Sequence, residues 1–527
     1  MIEWMQNIIC VVNMAIKVIA FLKKFWPEII AFVIFGVLSF VFQFFHEAWL
    51  DEAQAWNIGS TLSWRGIFGV MGYEGTPMLW HALIKIISYF GLNFFGFHIF
   101  HWLIIVVAVG LLLFFSPLSR WQKLLIPFGY FFLFEYNLIA RSYALAILFL
   151  FLIAALYRYR QKYPYLFLSL LMLLSQTCIH ATCIALVIFA FFIVEMWQKK
   201  MVDKRRLACL VLLFICNLLV IIWQVFPPLD AAKDLPWNTP MDLFLFFNSF
   251  IGAFVPISAV RTSFWGTQIM IDFFTQQAFS GFVSGYFSLY WLRVVFGLFL
   301  FFVSALFFIR RKFVLLQYLA SIFVLELVYY LLNPGSIRHH GLIFIVFIFY
   351  WWIAQYTPEN EPKKRLVGNR TLSFFIVFIL CLQIIASAVA YYYEYFYDFS
   401  GEKKVAIFLE QNGYLTDKYQ IVGFHANTAT TLSAFLPKDQ QVYCLEYSRF
   451  CNFNIWNEDY SRSLKWKVSD LVNRVLTLQR LNSEKKVVLV VYKKINSEEF
   501  KKYFKLIYSV EEVIMGDGRM FVYILTK

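Results

Sequence analysis

Three kinds of reactive side chain gather beside the ends of long apolar runs in this chain: carboxylates (Asp51, Glu52, Glu74), guanidinium groups (Arg141, Arg338) and imidazoles (His81, His180, His339, His340). A carboxylate can take a proton from an attacking hydroxyl. A guanidinium forks onto phosphate oxygens through two charge-assisted hydrogen bonds. Apolar helices beside such groups can hold a lipid tail. The set suits displacement at a sugar carbon, with a lipid phosphate leaving. Plainer readings stand beside this one: solvated loop acids, an arginine anchored to headgroups or paired with Glu135, and histidines that only hydrogen-bond at an interface.

The segment HEAWLDEAQAW (46–56) follows the first apolar run, and as a helix it puts Trp49, Ala53 and Trp56 on one face. That face suits an aromatic belt at a membrane boundary, while Glu47 and Asp51 share another. In YEGTPMLWH (73–81), Gly75 and Pro77 break the chain before an apolar segment begins at Met78. FEYNLIARSY (134–143) places Glu135 and Arg141 between two apolar runs, where an arginine needs a partner or a task. PGSIRHHGL (334–342) sets Arg338, His339 and His340 just before another run, and QTCIHATC carries His180 at a third boundary.

The elements that must position these groups are transmembrane helices. The chain is 61% hydrophobic and 15% charged, where soluble domains run near ~25% charged, so an ordinary water-soluble enzyme is excluded. Residues 313–332 hold one ionisable carboxylate, Glu326, and at ~1.5 Å per residue they can cross a hydrocarbon core ~30 Å thick. Apolar runs predict eleven spans, near 27–45, 98–115, 124–139, 142–157, 164–179, 181–197, 207–226, 287–309, 313–332, 341–356 and 371–392. Two further stretches, 76–91 and 243–258, read as interfacial or re-entrant helices, and residues 2–22 as an interfacial helix rather than a cleaved signal.

Of the 46 Lys and Arg residues, 20 fall in six clusters on alternate connections, from Lys17/Lys23/Lys24 to Lys363/Lys364/Arg365/Arg370. The positive-inside rule then predicts an integral plasma or inner membrane protein with a cytoplasmic N-terminus. Loops 46–75, 135–141, 180, 227–286 and 333–340, and everything after 392, face outward. Most of the net charge of +14 belongs to the membrane part, which points to topology and anionic lipid and not to nucleic acid.

After about residue 393 the pattern changes. YQIVGF (419–424), KVVLVVY (486–492) and RMFVYILT (519–526) read as strands, and SGEKKVAIFLEQNG (400–413) as a helix with Ser400 as N-cap and Gly413 just past its end. The predicted organisation is an N-terminal interfacial or cytoplasmic segment (1–26), a membrane module (27–392) and an extracytoplasmic α/β domain (393–527). The fold class is thus a polytopic α-helical membrane protein, about eleven transmembrane helices plus interfacial ones, with a C-terminal α/β domain. Eight cysteines form neither a disulfide scaffold nor a metal motif, and Cys444 and Cys451 suit either a disulfide or two free thiols.

The acidic pair in DEAQAW, at the end of the first span, resembles the first-loop signature of the type C glycosyltransferase superfamily. That group includes protein O-mannosyltransferases and the bacterial enzymes that add aminoarabinose to lipid A. The runs EGTPMLWH, ARSYAL and RHHGL are similar to those of bacterial members with an HE-x-x-x-DEAQAW loop. The resemblance covers residues 27–392 and leaves the tail unmatched. It implies transfer of a sugar from a polyprenyl-phosphate donor to an extracytoplasmic glycan, lipid or protein acceptor, with Asp51 as catalytic base or acceptor-positioning group. Glu52 joins Asp51 as a catalytic candidate, and Arg141 and Arg338 are candidate donor-phosphate ligands. Glu74, His81, His180, His339 and His340 are sugar- or acceptor-binding candidates. No second strong acidic motif accompanies the first, which favours a monophosphate donor and no required metal over a divalent-ion site. The main rival is a polytopic transporter or flippase for a lipid-linked or glycan substrate, which needs facing ionisable groups at the bilayer midplane. Glu326 is the one such residue, and no inverted repeat is visible.

Overall fold

In the computed structural model the described residues are 2–200, 203–232, 243–256, 286–331, 335–357, 369–437 and 439–526. The chain opens with α1 (Ile2–Phe42), whose backbone leaves helical geometry at Phe25, just before Pro27. The part of α1 long and apolar enough to cross a membrane is Leu22–Phe42. Three short helices follow, α2 (Leu50–Thr61), α3 (Trp64–Glu74) and α4 (Leu79–Tyr89), then the long α5 (Phe94–Phe115) and the short α6 (Arg120–Leu125). Beyond these lie α7 (Tyr143–Leu156), α8 (Pro164–Ser175), α9 (Ile179–Gln198), α10 (Lys204–Val225), α11 (Leu243–Phe254), α12 (Tyr286–Leu306), α13 (Lys312–Leu331), α14 (Ile337–Ala354) and α15 (Asn369–Phe396).

Among the described residues, seven helices have the length and composition of a membrane span, in or on α1, α5, α9, α10, α13, α14 and α15. The expected count of eleven is not reached among the described residues. Two other apolar helices, over Tyr143–Tyr159 and Pro164–Ser175, have 17 residues or fewer and reach about 26 Å at most, short of a ~30 Å core, whereas α12 runs for 21 residues and is long enough to cross one. The run 124–139 is not one helix. Pro127 begins a break into a tight 3-10 turn (Ile126–Phe128) and a π turn (Phe131–Glu135), because proline lacks the amide hydrogen an unbroken helix needs. Apolar content alone marked 124–139 as a crossing, and backbone geometry breaks it.

The two ends of the bundle differ in their polar contacts. At one end Glu28 meets Arg120 at 3.3 Å and Lys123 at 3.2 Å, and Glu195 meets Arg160 and Lys199, each at 2.7 Å. At the other end the turn after α1 meets the start of α5, and α2–α4 lie between the bundle and the C-terminal part. Helix α14 runs through the centre, with nearly every side chain from Ile337 to Ala354 buried. Gly341 lets it lie against the Phe131 and Tyr136 rings, where a Cβ would collide. Tyr136 Oη donates to the Arg338 carbonyl at 2.7 Å, which fixes the first turn of α14.

The C-terminal part is a six-stranded mixed sheet, order β3-β2-β1-β4-β6-β5: β1 (Tyr419–Phe424), β2 (Tyr443–Cys444), β3 (Arg449–Phe450), β4 (Lys486–Val491), β5 (Phe504–Val510) and β6 (Met520–Leu525). Strands β2, β1 and β4 are parallel, and β1 pairs β4 from Tyr419↔Lys486 to Phe424↔Val491. Parallel strands covered by helices on both faces need apolar residues at every position, which is why β4 reads KVVLVV without alternation. Val488 and Val490 pack under α16 (Glu402–Gln411) and α17 (Ala426–Phe435). Val487, Leu489 and Val491 pack under α19 (Val468–Leu481), which follows the short α18 (Glu458–Ser463). The expected strands and the 400–413 helix are present, with Gly413 at φ +70° just beyond the helix. Ser400 is not its cap: Gly401 is, and the Ser400 hydroxyl donates to the Ala48 carbonyl at 2.9 Å instead. Cys444 and Cys451 are joined in a disulfide across β2 and β3.

This α/β part sits directly on the first loop, with α17 packed against α2. Gln54 makes a reciprocal pair with the Asn454 backbone, at 2.8 Å in each direction, and Asn57 Nδ2 donates to the Thr430 carbonyl at 2.9 Å. Trp49, Ala53 and Trp56 are buried, and the Trp56 ring lies 5.7 Å from that of Phe97. The expected lipid-facing belt is therefore an internal contact.

Candidate functional site

Helix α2 starts at Leu50, so Asp51 stands in its first turn, at the bundle end that carries the α/β part. The Asp51 side chain is 22% exposed, and its Oδ2 accepts from Arg338 Nη1 at 3.0 Å. The same oxygen is in ion-pair contact with Arg141 Nη1. Arg141 comes from the turn before α7 and Arg338 from the first turn of α14, so three separate elements converge on one carboxylate. Arg338 also lies over the Trp49 ring at 5.1 Å, and Arg141 over the Tyr143 ring at 5.5 Å. Burial, and after it the neighbouring Arg338 charge, lower the Arg141 pKa to about 10, which still leaves it charged near neutrality. Two guanidinium groups against one carboxylate leave a local excess of positive charge, partly open to solvent.

Behind the arginines lies a cluster of rings. His180 and His339 are 5.4 Å apart, His339 is 6.0 Å from Tyr143, and His180 is 5.5 Å from Tyr329, which in turn meets His340 at 5.6 Å. The Tyr329 hydroxyl donates to the His339 carbonyl at 2.7 Å. The three sequence-selected histidines at 180, 339 and 340 thus share one wall with Arg141.

Glu52 is placed differently from its neighbour. It is fully buried, and its oxygens accept from the Ala140 amide at 2.6 Å, the Trp49 amide at 2.8 Å and His46 Nε2 at 3.1 Å. The Trp49 bond satisfies a backbone amide at the N-terminus of α2, and the Ala140 bond ties α2 to the turn that carries Arg141. His46 Nδ1 reaches Glu394 on α15 at 2.6 Å. Burial opposes a charge on His46, but the Glu52 and Glu394 carboxylates outweigh it and hold the imidazole pKa well above its usual value. Burial likewise opposes ionisation of Glu52, and the His46 charge outweighs it and holds that carboxyl low. Glu52 thus lies inside a buried hydrogen-bonded network, apart from the two arginines that meet its neighbour Asp51.

Glu74 and His81 also lie apart from the arginine pair. Glu74 accepts from Gln54 Nε2 at 2.7 Å beneath the α/β part, and burial raises its carboxyl pKa to about 7. His81 is buried on α4, and burial alone lowers its imidazole pKa to about 4. Their described contacts brace α2–α4 and do not reach Asp51. Arg141 pairs with Asp51, whereas Glu135 accepts from the Tyr130 hydroxyl at 2.9 Å.

His46, His98 and Glu394 join the site without a role legible in the sequence. Their signals were an HE pair of local pattern only, a histidine at the head of an apolar helix, and a carboxylate in the YYYEYF end of a span. His46, Glu52 and His98 bring ligand atoms within 4.8 Å of one another, so they are the trio among the described residues that could hold a divalent ion. Glu394 on the far nitrogen of His46 is the outer partner that metal-binding histidines commonly have. As they stand, an imidazolium between two carboxylates already balances much of its charge.

Removing one member of such a buried network strands the others, at a cost of about 3–5 kcal/mol. His46→Ala should therefore lower the unfolding temperature in detergent markedly. An unchanged unfolding temperature would show that the network does not hold the first loop.

Searches of known protein families and of curated proteins return no match to this chain.

Proposed function

We propose that the chain is an inverting membrane glycosyltransferase that moves a sugar from a polyprenyl-phosphate donor to an extracytoplasmic acceptor. The observation that carries this reading is one partly exposed carboxylate, Asp51, held between the guanidiniums of Arg141 and Arg338 at the end of an apolar bundle. The donor phosphate enters and takes the two guanidiniums, which turn from a carboxylate to a phosphate of similar fork geometry. Asp51, released from both, accepts the proton of the acceptor hydroxyl as that oxygen attacks the anomeric carbon. The new carbon–oxygen bond forms on the face opposite the breaking one. The bonding pair leaves with the phosphate oxygen, where Arg141 and Arg338 balance the growing charge. His180, His339 and His340 border the sugar side of this site. A transport reading has less support: Glu326 accepts from Ser249 Oγ inside the bundle, and a single paired carboxylate supplies no ion pathway.

Purified protein offered a panel of sugars on polyprenyl monophosphate and diphosphate should use the monophosphates, with an unchanged rate after chelation. Use of diphosphates alone, or a rate lost to chelator and restored by one divalent ion, would replace the two-arginine site with a metal centre at His46, Glu52 and His98.

The orientation places the tail and Asp51 outside the cytoplasm, on the strength of the basic clusters at alternate connections. Single cysteines near Arg205 and on the exposed turn at Asp417 should respond oppositely to a membrane-impermeant thiol reagent on intact cells. Labelling at Arg205 alone would reverse the orientation.

A further inference from the structure

The α/β part carries a cavity whose position follows from its strand order. In an open parallel sheet, ligands bind outside the carboxyl ends of the strands, where successive connections leave to opposite sides. Here β1 stands between β2 and β4, so the chain leaves β1 toward one neighbour and returns on its other side. Immediately past the carboxyl end of β1 is His425, and past that of β4 is Tyr492. Both line a cavity of about 130 Å³, together with Asn427, Thr428 and Thr431 of α17, and Tyr460. One water needs roughly 10–15 Å³ in the same measure, so the space suits about ten waters, or one sugar ring.

The cavity does not belong to the tail alone. Trp49 and Leu50, the two residues before Asp51, close it from the membrane part. Trp49 is also the ring on which Arg338 rests. The wall of this cavity is therefore continuous with the carboxylate and guanidinium of the candidate site.

Its chemistry is specific in kind. The lining offers two tyrosine rings and an indole, two threonine hydroxyls, an amide and an imidazole. His425 Nδ1 is buried with no hydrogen-bond partner among the described residues, an unmet polar atom that a ligand hydroxyl would satisfy. The ionisable carboxyl in the lining is that of Glu402, and none of the described lining residues is a lysine or arginine. Burial, with the Lys493 charge second, lowers the His425 pKa to about 4, so the ring is neutral at physiological pH.

We propose that this cavity binds a neutral, hydroxyl-rich ligand, one sugar residue of the acceptor, and presents it toward Asp51. The assignment of that sugar to the acceptor rests on the glycosyltransferase reading, while binding itself does not. Aromatic faces take the apolar face of a sugar ring, and hydroxyl and amide groups fix its orientation. The tail is then the element that selects the acceptor, which explains why it is clamped to the first loop by Gln54, Asn57 and Ser400.

Full-length protein in phospholipid nanodiscs, free of glycoside detergents, should show saturation-transfer signals with one or more of a panel of methyl glycosides. Tyr492→Ala and Thr428→Val should each weaken that binding tenfold or more and raise the acceptor KM, with kcat and donor KM little changed. Thr428→Val keeps side-chain shape, so its result does not depend on a fold lost in Tyr492→Ala. Absence of binding by every methyl glycoside, or binding unchanged in both variants, overturns the pocket. Displacement of a bound glycoside by inorganic phosphate also overturns it, in favour of an anion site at the start of α17. Glycoside binding without any sugar transfer leaves the pocket standing and sinks the enzymatic reading. Transfer without glycoside binding does the reverse.

Discussion

Asp51→Asn should reduce sugar transfer by about 10²–10⁴-fold, the usual contribution of a positioned general base, while donor binding is retained or tightened. The substitution keeps the side-chain shape and removes both the charge and the proton-accepting oxygen. It also frees Arg141 and Arg338 from the carboxylate that occupies them, leaving both for phosphate. A purely structural role for Asp51 predicts something else, loss of donor binding and of thermal stability together. Turnover falling while donor affinity holds is thus the signature to seek. Glu47 is not a silent comparison, since it accepts from the Phe399 amide at 3.0 Å and lies 3.8 Å from Lys403. Asp417, exposed in a tail turn, is the better control, and Asp417→Asn should transfer sugar at the normal rate. Normal transfer by Asp51→Asn would remove the catalytic assignment.

Arg338→Ala should cost about 10²–10³-fold in kcat, the range for loss of one group aimed at developing negative charge. Arg338→Lys should fall between the two, because an ammonium keeps the charge and loses the planar fork. Arg338→Lys keeps a charge beside Asp51 and should fold, whereas the Arg338 side chain is only 19% exposed, so the unfolding temperature of Arg338→Ala is to be measured beside its turnover. Arg141→Ala and Arg141→Lys should follow the same order. A double variant should lose less than the product of the single losses, because the two groups share one phosphate. If Arg338→Ala matches wild type in donor binding and turnover, Arg338 serves only to hold Asp51 in the resting protein.

The convergence of Asp51, Arg141 and Arg338 was legible in outline, because each sits where an apolar run ends and the three ends lie on one face. The strands at 419–424, 486–491 and 520–525 were legible too, from their apolar runs and the turn at Gly516–Gly518. What local pattern could not show was direction and distance. Asp51 and Glu52 are adjacent in sequence, yet a helix turns them about 100° apart, and one faces the arginines while the other enters the core. His46 and Glu394 are 348 residues apart and meet at 2.6 Å, a contact no periodicity encodes. Span counting failed for a related reason: hydropathy registers an apolar run such as 124–139 but not the proline that breaks it.

Displacement at a sugar carbon with inversion would leave its record in the product. Purified protein given a polyprenyl-monophosphate sugar of known anomeric configuration and an accepted glycan should release polyprenyl phosphate and form the glycosidic bond in equal amounts. The anomeric proton coupling of the product, read by NMR, should show the opposite configuration to the donor. A retained configuration would require a covalent sugar intermediate or another route. Recovery of the intact lipid-linked sugar on the far side of the membrane, with no bond broken, would show a transporter.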